Sequence, residues 1–128
     1  MHAIMAEDAM TVRMYYRSIL EAAGFSVVEA INGLEAFEYA IAGERPPDLF
    51  LVDVNMPLMD GYTFLRKIRA EPGLCDVPAI VISTLREPRD EERAFEAGAN
   101  LVLVKPVRPD ALTVLVRVLC GSRAEQIS

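Results

Sequence analysis

The chain has one histidine, His2, close to its start, and two cysteines, Cys75 and Cys120, that form no CxxC pair. A zinc site or a disulfide framework is therefore not expected, and both cysteines read as packing residues. Basic charge is scarce as well: 13 Lys and Arg against 19 Asp and Glu leave a formal charge of −6. That balance argues against nucleic-acid binding, which draws its affinity from a basic face. No stretch approaches the roughly 18 consecutive apolar residues of a membrane span. The start, MHAIMAEDAM, has no basic segment followed by a long apolar one, so a secretory signal is not expected either. The expectation is a soluble, cytoplasmic protein with no membrane contact. What the chain has in quantity is apolar content, 52% of 128 residues, enough to fill one core. One domain over residues 1–121 with a short polar tail, 122–128, is expected.

Short apolar runs alternate five times with helix-length segments, the pattern of an α/β fold in which a parallel sheet is covered on both faces. The strands are HAIMA (2–6), SVVEA (26–30), DLFLVDV (48–54), AIVIST (79–84) and LVLVK (101–105). Helix one is expected from Ala9 to Ala23, stopped by Gly24, and helix two after Asn32 and Gly33, ending at Gly43. Helix three is expected over Tyr62 to Ala70, ended by Pro72 and Gly73, with Asp60 and Gly61 forming its cap and turn. Pro88 and Pro109 each suit the first turn of a helix, and the acids that follow them complement the dipole there. Helix four then ends at Gly98 and helix five at Gly121. Leu112, Val114, Leu115, Val116, Val118 and Leu119 cover more of helix five than docking on one sheet requires, so part of its apolar surface is expected to face solvent as an interface.

In LFLVDVNMPLMDG (49–61) four apolar residues deliver Asp53 to a turn. A carboxylate at the tip of a buried strand needs partners. Ligands of open α/β sheets bind beyond the carboxyl ends of the strands, and in a parallel sheet those ends converge. Strand one ends in Glu7 and Asp8, strand three in Asp53, strand four in Ser83 and Thr84, and strand five in Lys105. Carboxylates gathered in one cleft repel one another unless a cation intervenes. Oxygen donors without thiolate or imidazole select Mg²⁺, or Mn²⁺, either of which can share phosphate oxygens. Lys105 supplies a point charge for a phosphoryl oxygen, and Ser83 a hydroxyl. The set fits phosphoryl transfer to a carboxylate nucleophile, Asp53.

The ordered combination of ED (7–8), VDVNMPLMDG (52–61), VIST (81–84), AGA (97–99) and VKP (104–106) resembles the receiver domain of two-component response regulators, those of single-domain chemotaxis and cell-cycle regulators most of all. The resemblance runs from Met1 to about Gly121. Spacing sharpens it, since Ser83 follows Asp53 by 30 residues and Lys105 follows Ser83 by 22. It implies a flavodoxin-like doubly wound (βα)5 sandwich, strand order 2-1-3-4-5. It also implies that Asp53 accepts a phosphoryl group from a sensor histidine kinase or a histidine phosphotransfer protein. Asp8 and Asp53 would bind Mg²⁺ directly, Glu7 through water, and the Asn55 carbonyl would complete the metal ligands. Lys105 would hold the phosphoryl group, and its bond to Pro106 would be cis. Such a protein is a phosphorylation-dependent binding switch or a phosphorelay intermediate. It catalyses only its own phosphorylation and dephosphorylation, and acts on a downstream protein, or as a homodimer, through the face of helix four, strand five and helix five.

Three residues depart from the family pattern. Ser83 stands where threonine is usual. Val102 stands where many members carry the aromatic that turns inward on activation, so that form of switch is not available. Thr84 and Leu85 are larger or less polar than usual beside the phosphoryl group, and are expected to hinder attacking water. Among rivals, a haloacid-dehalogenase-like, Mg²⁺-dependent aspartyl-phosphate phosphatase expects Asp where Asn55 stands. A flavodoxin-type FMN carrier would not place Glu7 and Asp8 in its phosphate loop. A pseudo-receiver, a binding module without phosphorylation, would not need the full chemical set.

Overall fold

The computed structural model describes residues 1–84 and 88–127. Five strands, β1 (His2–Ala6), β2 (Ser26–Ala30), β3 (Leu49–Asp53), β4 (Ala79–Ser83) and β5 (Leu101–Val104), alternate with five helices. The helices are α1 (Met10–Ala22), α2 (Gly33–Ala42), α3 (Gly61–Arg69), α4 (Pro88–Ala97) and α5 (Pro109–Ile127). All four strand pairings are parallel, in the order β2-β1-β3-β4-β5. This is the expected doubly wound α/β architecture.

The continuous apolar runs of β1, β3 and β4 follow from burial on both sides, because successive side chains point to opposite faces. On one face Ile4, Ala6, Phe50, Val52 and Val81 pack with Ala36, Phe64, Leu65, Ile68 and Ala94 of α2, α3 and α4. On the other, Ala3, Met5, Leu49, Leu51, Ile80 and Ile82 pack with Tyr16, Ile19, Leu20, Leu112, Val116 and Cys120 of α1 and α5. Phe50 meets Phe64 edge to face, with ring centroids 5.3 Å apart, a geometry that adds to simple area burial. Neither Cys75 nor Cys120 is in a disulfide, and Cys120 is buried in the second layer.

Turn chemistry sets the helix starts. Asn32 accepts a hydrogen bond from the Glu35 N–H at 2.8 Å, and Asp60 accepts one from the Thr63 N–H at 2.8 Å, so each caps its helix. Helix five departs from expectation. It does not stop at Gly121 but runs to Ile127, so the segment 122–127 is helical rather than a frayed tail. The reason is that one interior glycine costs only about 1 kcal/mol relative to alanine, and Arg123, Ala124, Glu125 and Gln126 are all good helix formers. Val114 and Val118 on this helix are 57% and 70% exposed, in line with its surplus of apolar residues. No helix among the described residues is long and apolar enough to cross a membrane.

One tie was not legible in the sequence. The Arg69 guanidinium, at the end of α3, donates to the carbonyls of Gly98, Val77 and Cys75 at 2.8, 2.7 and 3.1 Å and to Asn100 Oδ1 at 3.0 Å. It thereby fastens the α3–β4 and α4–β5 connections to each other.

Candidate functional site

The strand register brings the predicted residues to one end of the sheet. Asp53 closes β3 opposite Ile82, and Ser83, the next residue of β4, lies opposite Val104. The Lys105 N–H donates to the Ser83 carbonyl at 2.9 Å, which fixes the lysine just past the end of β5. The Lys105–Pro106 bond is cis, as the resemblance implied. Behind Asp53, the Gly61 N–H donates to the Val54 carbonyl at 3.0 Å. A Cβ on Gly61 would sit 2.5 Å from the Asp53 carbonyl oxygen and 3.0 Å from Val54 Cα. Backbone cannot yield as a flexible side chain can, so Gly61→Ala is expected to cost about 2–3 kcal/mol and to displace Asp53. The denaturant midpoint of the variant measures the loss.

Glu7, Asp53 and Ser83 are buried, at 2%, 3% and 6% exposure. Asp53 Oδ1 accepts from the Asn55 N–H at 2.8 Å. Its Oδ2 lies 2.5 Å from Lys105 Nζ, close enough for an ion pair although no aligned hydrogen bond is made there. Glu7 Oε1 accepts from the Ala9 N–H at 3.0 Å. Its Oε2 lies 3.9 Å from Lys105 Nζ and has no hydrogen-bond donor. Burial, and the neighbouring Asp53 carboxylate with which a proton can be shared, push Glu7 up to about 8. Burial alone would lower the Lys105 ammonium, but the close contact with Asp53 and the charges of Asp53, Glu7 and Asp8 raise it on balance. The ammonium therefore stays charged.

The raised Glu7 value has a consequence for the metal-free protein. Between about 4.5, its ordinary value, and about 8 the unfolded chain releases this proton while the folded chain keeps it. Stability from this group is thus full below pH 4.5 and is lost as pH rises towards 8. Denaturant midpoints taken from pH 5 to pH 9 without divalent ions are expected to fall more steeply for the natural protein than for Glu7→Gln.

Not every predicted ligand is drawn inward. Asp8 and Asn55 are exposed at the rim, and among the described residues no three acidic, histidine or cysteine side chains are close enough together to hold an ion. The donor set nevertheless fits a hard divalent cation. All its atoms are oxygens, and two of them, Glu7 Oε2 and Asp53 Oδ2, are buried carboxylate oxygens without hydrogen-bond donors. Neither Glu7 nor Asp8 is the N-cap of α1, which is Ala9, whose own side chain makes no cap bond and whose N–H donates to Glu7 Oε1.

A polar recess of about 340 Å³ opens beside Ser83, lined by Asn55, Asp60, Tyr62, Thr84, Asp90 and Arg93. Arg93 is exposed yet lies over the Tyr62 ring, 4.7 Å from its centre. Tyr16 and Tyr62 are buried packing residues. Tyr15 is half-exposed and donates its hydroxyl to the Val107 carbonyl at 2.7 Å. Leu85, expected to hinder water, lies outside the described residues. Two residues near the site escaped the sequence. Arg13 Nη1 donates to the carbonyls of Glu7 and Asp8, each at 2.9 Å, and Glu29 holds Arg13 Nε at 3.3 Å. Only the spacing of Arg13 from the acidic pair, about one helical turn into α1, could have suggested this.

Comparison with known proteins agrees with this architecture. The chain is 30% identical over 123 residues to chemotaxis protein CheY1 of Helicobacter pylori, covering 95% of this chain and 98% of that one. It is 35% identical over 111 residues to sensor histidine kinase CheAY of the same species, where it covers 87% of this chain but only 14% of the relative's length. Among solved structures it superimposes on the receiver domain of sensor histidine kinase PA1611 from Pseudomonas aeruginosa, crystallised with a magnesium ion in its active-site cleft. The TM-score is 0.85 at 27% identity, over 94% of this chain and 97% of that one. Residues 3–117 match the family model of the response regulator receiver domain, and the chain belongs to that family.

Proposed function

We propose that this receiver takes a phosphoryl group onto Asp53 from a phosphohistidine of a sensor histidine kinase or a histidine phosphotransfer protein. The N–P bond of the donor breaks, an Asp53 carboxylate oxygen forms the new P–O bond, and the histidine leaves. The observation that supports this most is the buried Asp53 carboxylate in contact with the Lys105 ammonium, 2.5 Å away. Glu7, Asp8, Asp53 and the Asn55 carbonyl would hold Mg²⁺ (or Mn²⁺), which supplies charge neutralisation for the transferring group. Lys105 binds a phosphoryl oxygen and Ser83 donates its hydroxyl to another, so the chain's own contribution is position and charge. It does not turn over an independent substrate.

Output follows from the same contacts. A new anion on Asp53 draws on Ser83 and Lys105, which end β4 and β5, and so biases the position of α4. Val102 is half-buried against the core, so the shift does not use an inward-turning aromatic. Val104, Val114 and Val118, all at least 50% exposed, make the α4–β5–α5 face the surface for a downstream protein or a second copy.

The test is intact mass after incubation with Mg²⁺ and a small phosphodonor such as an acyl phosphate. The natural protein is expected to gain one phosphoryl group, and Asp53→Asn none. Equal yields from the two would remove Asp53 from the role.

A further inference from the structure

We infer that Arg13 is a positioning residue for the divalent-cation site, pinning the two consecutive carbonyls of Glu7 and Asp8 so that their side chains are presented to the ion. The inference rests on the proposed function above. Three residues, 7–9, join β1 to α1, and little within that stretch holds it. Ala9, the N-cap, has no side chain able to cap, and Asp8 is exposed. The Glu7 N–H is taken by the Ala30 carbonyl at 3.0 Å and Glu7 Oε1 by the Ala9 N–H at 3.0 Å. The carbonyls of Glu7 and Asp8 are both met by the same atom, Arg13 Nη1, at 2.9 Å each. Two adjacent peptide planes are thus fixed by one guanidinium, and the direction of the Asp8 side chain is set through its backbone.

Arg13 is itself held. Its side chain is 14% exposed, and its Nε lies 3.3 Å from Glu29 Oε1 on β2. The other oxygen of Glu29 lies 2.5 Å from Arg17 Nη1. The Glu29 carboxylate sets the fork in place and offsets its charge, so the guanidinium orients the loop without standing as an unpaired cation beside a site that must attract one. Lysine cannot reproduce this, since its ammonium is a point donor with no planar fork to bond Glu29 and the carbonyls together. Groups that orient ligands in this indirect way set metal affinity by about 10–100-fold.

The experiment is calorimetric titration of the full chain with Mg²⁺, paired with the rate of phosphoryl uptake from a small phosphodonor as Mg²⁺ is varied. The natural chain is compared with Arg13→Met and Arg13→Lys. The expected result is a Mg²⁺ dissociation constant raised about 10-fold in Arg13→Met, and less in Arg13→Lys. The uptake rate at saturating Mg²⁺ should stay within about twofold of the natural one. If Arg13→Met does not fold, Arg13→Lys decides. An unchanged dissociation constant would show that Arg13 merely fastens α1 to β2 and would overturn the inference. So would a fall in the saturated rate as large as the fall in affinity. Absence of Mg²⁺ uptake by the natural chain would instead sink the underlying functional reading, and that arm is scored on its own.

Discussion

Lys105→Met is expected to slow phosphoryl transfer to Asp53 by about 10²–10³-fold, the usual effect of losing one preorganised group that meets charge developing in the transition state. Methionine keeps most of the stem and its packing, so the change removes the ammonium and little else. That ammonium lies 2.5 Å from Asp53 Oδ2 and 3.9 Å from Glu7 Oε2, and the site has few other charges to offset two buried carboxylates. The same variant is expected to bind Mg²⁺ at least as tightly as the natural protein, because the ammonium shares Asp53 Oδ2 with any incoming cation. Slower transfer with undiminished Mg²⁺ binding is the signature sought, read from phosphoryl uptake at saturating Mg²⁺ and from direct titration. Loss of both together would mean that Lys105 serves the fold of the site rather than the reaction.

Arg69→Met is expected to destabilise the protein by about 3–5 kcal/mol, a large part of the roughly 5–15 kcal/mol that holds a domain together. The guanidinium serves the carbonyls of Gly98, Val77, Cys75 and, at 3.4 Å, Leu74. Burial pushes its pKa down, though an arginine keeps its charge inside proteins. Removing it strands several half-buried acceptors at once, which costs more than the net value of the bonds lost. Gly98 adds to the tie: its φ is +122°, and a Cβ there would meet Arg69 Cγ at 2.6 Å, so the glycine and the arginine fit as a pair. The denaturant midpoint should drop sharply, while the fraction that remains folded should still take up phosphate with normal Mg²⁺ dependence. A loss below about 1 kcal/mol would mean that water replaces the guanidinium at these carbonyls.

The strands were legible because β1, β3 and β4 are covered on both faces and must be apolar throughout, and the helix ends because Gly24, Gly43, Pro88, Gly98 and Pro109 leave the chain few options. Asp53 and Lys105 were legible as site candidates because a charged residue at the end of an apolar strand has few structural excuses. What escaped was of two kinds. Arg13 and Arg69 bond to backbone carbonyls, which every residue carries, and Arg69 meets Gly98 across 29 positions; residue types alone do not encode such partners. The partition between Glu7, buried, and Asp8, at the rim, depends on where the last residue of β1 points. Composition weighs those neighbours equally. Helix five was read as ending at Gly121 because glycine is a usual stop, and there the run of helix formers beyond it prevailed.

The first strand lies inside the sheet, bonded to β2 on one side and to the central strand β3 on the other. As the ribosome extends the chain, the central strand and one flank of the sheet are therefore made once Asp53 has emerged, with β4 and β5 still to come. At that moment Glu7 and Asp53 are neighbours with no ammonium between them, since Lys105 is made last of the set. Until Lys105 arrives, a proton held by Glu7 or a divalent ion is what can offset the two carboxyl groups.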